Sequence, residues 1–131
     1  LARSSVDQVS VECAGSGVDV SVLQELGGKD ILIGVINVGT EEVETPEIVA
    51  SRIRRALAYV PATQLFPCTD CGLVPRSRPA SQGKMRALAA GAAIVRAELA
   101  SPVDAAAFAG RMKNHGEPPR RPSTKLGTAL S

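Results

Sequence analysis

From Ile31 to Val38 the chain reads Ile-Leu-Ile-Gly-Val-Ile-Asn-Val, a nearly unbroken apolar run. A run this short and this apolar is the pattern of a strand covered on both faces, and such strands belong to parallel sheets. Gly34, in its middle, predicts the close approach of another backbone or of a ligand. The neighbouring segments must therefore supply further parallel strands and the helices that cross between them.

They do so on both sides. Residues 5–13, Ser-Val-Asp-Gln-Val-Ser-Val-Glu-Cys, alternate around Val9 and Val11 and predict a strand ending at Glu12 and Cys13. Ala14 to Gly17 turn the chain. Val18, Val22, Leu23 and Leu26 then follow at helical spacing until Gly27-Gly28. After the central run, residues 39–42 are loop. Thr45-Pro46-Glu47 starts a helix with a capping hydroxyl, a proline at the first position and an acid against the dipole. Val49, Ile53, Ala56, Leu57 and Val60 form its apolar stripe, with Arg52, Arg54 and Arg55 on a solvated face. Pro61 ends it, and residues 64–69 make a third strand. Leu73 to Arg78 is loop. A second long helix is expected from Pro79 to Leu99, burying Met85, Leu88, Ala89, Ala92 and Val95.

The order is strand, helix, three times over, which implies parallel β/α units with right-handed crossovers. Three units are far short of a closed eight-stranded barrel of about 250 residues, and alone they leave sheet edges exposed. Residues 1–101 thus read as one partial α/β domain. Residues 102–131 lose the pattern: 103–109 suit an Ala-rich turn, and Pro118, Pro119 and Pro122 with scattered bases predict a disordered tail.

Charge separates the two parts. Residues 111–131 carry five Lys or Arg against one acid, whereas residues 1–110 carry ten against twelve. The basic excess belongs to the tail, so the folded part lacks the footprint of a nucleic-acid binder. Nothing approaches the roughly 18 apolar residues of a membrane helix, and Leu1-Ala2-Arg3-Ser4 is not a signal peptide. Three cysteines, an odd number, point to a reducing, cytoplasmic setting rather than a secreted disulfide framework.

Chemistry concentrates just past the third strand, in Leu65-Phe66-Pro67-Cys68-Thr69-Asp70-Cys71-Gly72-Leu73. In α/β proteins, residues beyond the carboxyl ends of strands line the active site. Cys71 stands there, and Glu12 stands at the equivalent point of the first strand. The plain alternatives are a small buried thiol for Cys71 and a strand-end carboxylate capping the next helix for Glu12. Cys68 and Cys71 make a single Cys-x-x-Cys. A redox motif of that form opens a helix, whereas here Gly72-Leu73-Val74-Pro75 follows. A structural zinc site needs a second pair, and only Cys13 remains. Asp70 either orients a metal ligand or stabilises the turn.

These segments, in order, resemble a known family. They are Val9-Ser10-Val11-Glu12, Gly34 to Val38, Glu44-Thr45-Pro46-Glu47, Arg52 to Leu57, Val60-Pro61, Asp70-Cys71-Gly72-Leu73, Lys84 to Leu88 and Ile94-Val95-Arg96. Together, across roughly residues 5–100, they resemble the C-terminal catalytic part of cobalamin-independent methionine synthase, most of all its shorter archaeal and bacterial relatives. The resemblance implies a (β/α)8 TIM barrel, of which this chain is an incomplete C-terminal piece. A chain that does not begin with Met agrees with a fragment. It implies a catalytic zinc held by a His, a Cys, a Glu and a second Cys, with the last two falling on Glu12 and Cys71, and the first two before Leu1. His115, the single histidine, matches none of them.

The implied reaction is attack of homocysteine thiolate on the methyl group of a methyl-folate, giving methionine. The long methionine synthases carry Asp and His where this chain has Asn37 and Gly39, and Gly39 supplies no proton. That departure leaves room for another methyl donor or another thiol reaction, as in a coenzyme M methyltransferase or a uroporphyrinogen-decarboxylase-like barrel. A different alternative is a non-catalytic half-barrel that pairs with a second chain.

Overall fold

The structure is a computed structural model and describes residues 1–101. Its elements are β1 (Gln8–Glu12), a 3-10 helix (Val20–Leu26), β2 (Asp30–Ile36), α1 (Pro46–Leu57), a short 3-10 turn (Ala62–Gln64), β3 (Leu65–Thr69) and α2 (Arg78–Ala100). The three strands form one parallel sheet in the order β1-β2-β3, so the apolar run is the central strand. The expected turn at 103–109 and the tail at 102–131 lie outside the described residues.

One sheet face is packed and the other is open. Val9, Ile31, Ile33, Val35 and Leu65 join Leu23 of the 3-10 helix, Val49 and Ile53 of α1, and Val95 of α2 in a single core. On the opposite face Ser10, Leu32 and Phe66 stand side by side in register, and Phe66 is 44% exposed. The expectation that β2 is covered on both faces holds towards its carboxyl end, where Gly34 and Ile36 are buried, but not at Leu32, which is half-buried beside the exposed Phe66. The apolar residues at 32 and 66 show that the second face is also built for burial.

The segment after β1 corrects the expected α-helical spacing. Its buried residues are Val20, Leu23 and Leu26, three apart, which is the repeat of a 3-10 helix. Val18 and Val22, assigned inward from the sequence, are exposed. Asp19 caps the segment by accepting the Ser21 N–H.

Helix α1 follows its sequence signals. Thr45 accepts from the Ile48 N–H, Pro46 opens the first turn, and Val49, Ile53, Ala56 and Leu57 are buried. The arginines do not all behave as a solvated face. Arg54 and Arg55 are exposed, but Arg52 turns inward and donates to the Val35 carbonyl at 2.7 Å. In α2 the inward face is rotated from the expected one. Ala80, Lys84, Ala87, Gly91, Ala92 and Val95 are buried, whereas Met85 is 49% exposed and Ala89 is exposed. Small residues win the buried positions because the helix lies close against α1, and the larger Met85 is left outside.

Candidate functional site

Parallel strands put their carboxyl ends on one rim. The register aligns Glu12 of β1 with Gly34 of β2, and Gly34 with Cys68 of β3. Glu12 and Cys71 are both exposed on that rim. Neither is in a dry core, which disposes of the buried-thiol alternative for Cys71.

Asp70 connects the two. It is only 7% exposed. Its Oδ1 accepts the N–H groups of Cys13 at 3.1 Å and Ala14 at 3.0 Å, and its Oδ2 accepts that of Gly15 at 2.7 Å. Its own N–H donates to the Ile36 carbonyl at 3.0 Å. The residue before Cys71 thus grips the loop that follows Glu12 and pins the end of β2. Three backbone donors satisfy a buried carboxylate that would otherwise be costly.

This arrangement explains Gly34. A Cβ there would lie 2.8 Å from Asp70 Cα and clash with Oδ1. The predicted close approach is therefore to a side chain and backbone of the neighbouring strand's end, and the missing side chain makes room for the Asp70 latch.

A second polar network underlies the rim. Lys84 of α2 is fully buried, and its Nζ donates to the Asn37 carbonyl at 2.8 Å, to the Glu42 carbonyl, and to Glu44 Oε2 at 3.1 Å. Glu44 Oε1 accepts the Asn37 N–H at 2.7 Å and Arg52 at 3.2 Å. Burial works against ionising Glu44, but these donors outweigh it and lower its pKa. Sequence reasoning placed Lys84 and Glu44 only within matching segments and sent Arg52 to solvent. The available signal was a lysine continuous with the smallest residues of α2, four after Ala80 and three before Ala87.

The other thiols differ from Cys71. Cys13 and Cys68 are half-buried. Burial first, then the Asp70 charge, raise both thiol pKa values, with Arg55 partly offsetting the rise at Cys13. Cys68 lies inside β3, and α2 begins only at Arg78, so the Cys-x-x-Cys does not open a helix. That geometry does not fit a thioredoxin-like redox pair.

Carboxylate oxygen and thiolate sulfur are both zinc donors, so Glu12 and Cys71 fit the chemistry of a zinc shell. Among the described residues no three His, Cys, Asp or Glu side chains gather closely enough to hold a metal ion. His115 lies outside the described residues. No helix among them is long and apolar enough to cross a membrane.

Comparison with known proteins places these features. Residues 1–94 match the family model described as cobalamin-independent synthase, catalytic domain. A B12-independent methionine synthase structure from Shewanella sp. W3-18-1 superposes with a TM-score of 0.73 at 45% identity, over 75% of this chain and 29% of that one. Methionine synthase from Thermococcus kodakarensis is 34% identical over 96 residues, 72% of this chain and 29% of its own length. The 2-hydroxypropyl-CoM lyase of Xanthobacter autotrophicus is 51% identical over 73 residues, 56% of this chain and 19% of its own length. The chain thus spans less than a third of each of these relatives. With a parallel α/β sheet, a matching family model over most of the described residues and a solved relative at this similarity, the chain belongs to the cobalamin-independent methionine synthase family.

Proposed function

We propose that this chain is the C-terminal part of a (β/α)8 barrel enzyme that transfers a methyl group to a thiol, homocysteine in the methionine-synthase reading. In this reading Glu12 and Cys71 are two of the ligands of a zinc ion, and Asp70 holds their loops in place. The observation that carries it is the joint exposure of Glu12 and Cys71 on one rim, linked through the Asp70 hydrogen bonds to residues 13–15. The open sheet face with Phe66 supports a missing barrel half, supplied by preceding sequence or by a partner chain.

A bound zinc ion would hold the substrate thiol as thiolate at neutral pH. The chain's own contribution is to present one carboxylate and one thiol and to keep them from drifting apart. A small-molecule thiol and a small methyl donor are the partners this site suits, and the cytoplasm is the compartment that keeps Cys71 reduced.

Zinc titration of residues 1–131 against a chromophoric chelator tests the ligand assignment. Weak binding is expected, diminished in Glu12→Gln and lost in Cys71→Ser. Equal binding by Cys71→Ser would overturn it. With only part of the ligand set, the isolated chain is expected to form no methionine from homocysteine and a methyl-folate; measurable turnover would overturn the fragment reading.

A second reading is favoured by the 51% identity to a protein named for a coenzyme M thioether and by Gly39, which leaves the end of β2 without a side-chain proton donor at that position. There the thiol is coenzyme M and the carbon partner is not a folate methyl. Binding of homocysteine and of coenzyme M to the zinc-loaded chain, compared directly, separates the two.

A further inference from the structure

The end of β2 stands between the loops that carry Glu12 and Cys71, and it is fixed by the Lys84–Glu44 charge pair, which Arg52 of α1 joins through Glu44 Oε1. Every acceptor of Lys84 lies between residues 37 and 44. Glu44 closes the same loop by taking the Asn37 N–H. Asn37 is therefore held at both its N–H and its carbonyl by buried ionic groups. Its side chain faces the rim: Oδ1 accepts the Gly39 N–H at 2.7 Å. It also fills the space over Gly15, where a Cβ would lie 2.6 Å from that oxygen. One residue earlier, the Ile36 carbonyl accepts the Asp70 N–H.

A buried ion pair is a poor way to gain stability, since apolar residues of similar volume do as well or better. Its specific yield here is geometric, because both ions reach the backbone of Asn37, Lys84 at its carbonyl and Glu44 at its N–H, alongside their bonds to the Glu42 carbonyl and to Arg52. We propose that Lys84 and Glu44 are positioning residues that fix Asn37 as the spacer between the Glu12 loop and the Cys71 turn. The inference rests on the zinc reading for its consequence but not for its geometry. Asn37 meets Gly15 on one side, Ile36 meets Asp70 on the other, and the two donor-bearing loops take their separation from the strand between them.

The test uses the full chain with two variants. Asn37→Ala leaves the buried pair intact and removes only the side chain over Gly15. Lys84→Met removes the anchor. Hydrogen exchange is expected to speed up in both at the amides of Cys13, Ala14, Gly15 and Asp70, with the amides of Val11 and Ile33 unchanged. Zinc affinity should fall roughly tenfold, the usual effect of losing a group that orients ligands. Unchanged exchange at residues 13–15 in Asn37→Ala would overturn the proposal, as would faster exchange spread evenly over the whole core. If Lys84→Met does not fold, Glu44→Gln takes its place: it removes the charged acceptor of the Asn37 N–H, and unchanged exchange at residues 13–15 in it would overturn the positioning role. If the wild-type chain shows no zinc binding that depends on Cys71, the ligand assignment fails, and the exchange result still decides the positioning role.

Discussion

Asp70 Oδ2 accepts the Gly15 N–H at 2.7 Å, so the residue before Cys71 holds the loop that follows Glu12. The contact spans 55 positions of sequence. It ties the ends of β1 and β3 together without any hydrogen bond between the Glu12 and Cys71 side chains.

The first prediction follows from the charge on that carboxylate. Asp70→Ala leaves the N–H groups of Cys13, Ala14 and Gly15 without their acceptor. Hydrogen bonds to a charged group contribute about 1.5–3 kcal/mol, so a loss of about 3 kcal/mol is expected by urea denaturation. Asp70→Asn keeps a single acceptor oxygen and should lose about half as much. An Asp70→Ala chain as stable as the wild type would show that water replaces the latch at no cost.

Gly34→Ala tests the same latch from below. The added methyl carbon would stand 2.8 Å from Asp70 Cα, and the strand beneath cannot yield easily because Val35 and Ile36 are fully buried. The carboxylate must move, and the residues 13–15 contacts go with it. Overpacking of this kind costs about 1–3 kcal/mol. The amides of residues 13–15 should lose hydrogen-exchange protection in step, and retained protection would rule out the displacement.

Much of this was legible in the sequence, for identifiable reasons. The apolar run at 31–38 announced a parallel strand because so short a run of Val, Ile and Leu suits a buried strand, and the structure realises it as β2 over Asp30–Ile36. Thr45-Pro46-Glu47 marked a helix start to the residue because capping is a local interaction. Gly34 announced a close approach without saying what approached. Failures came where tertiary packing chooses between similar local options. Helical spacing of Val18 and Val22 competed with the three-residue spacing of Val20, Leu23 and Leu26, and the core chose the latter. Lys84 was not read as buried because no local pattern shows that three acceptors, two carbonyls and a carboxylate, wait on another segment; only Met85, next to it, looked apolar. The exposure of Glu12 and Cys71 was expected from their places at strand ends, whereas the Asp70 bond across 55 residues left no local trace.

Acidification supplies the third prediction. The Glu44 carboxyl is held below its ordinary value of 4.5 in the folded chain, despite burial, by the N–H of Asn37 and by Lys84 and Arg52. A carboxylate with a lowered folded pKa stabilises fully above its unfolded value and loses that contribution as pH falls through the folded value. Stability should therefore be flat in this contribution above about 4.5 and decline below it. Glu44→Gln should be less stable at neutral pH and show a shallower acid limb. Parallel acid limbs for the two chains, measured by urea midpoints from pH 3 to 7, would exclude Glu44 as a contributor.

The three thiols offer the last prediction. Cys71 is exposed, while Cys13 and Cys68 are half-buried and held protonated further up the pH scale by burial and the Asp70 charge. Alkylation depends on thiolate and on access, so iodoacetamide at neutral pH should modify Cys71 first. Peptide mass mapping over time reads the order directly. In Asp70→Asn the negative charge beside Cys13 and Cys68 is gone, so both should react faster than in the wild type. Zinc added in excess should slow labelling of Cys71 and leave Cys68 unaffected. Protection of Cys68 instead would move the metal down into the strand, away from Glu12's rim neighbour, and would require a different donor set.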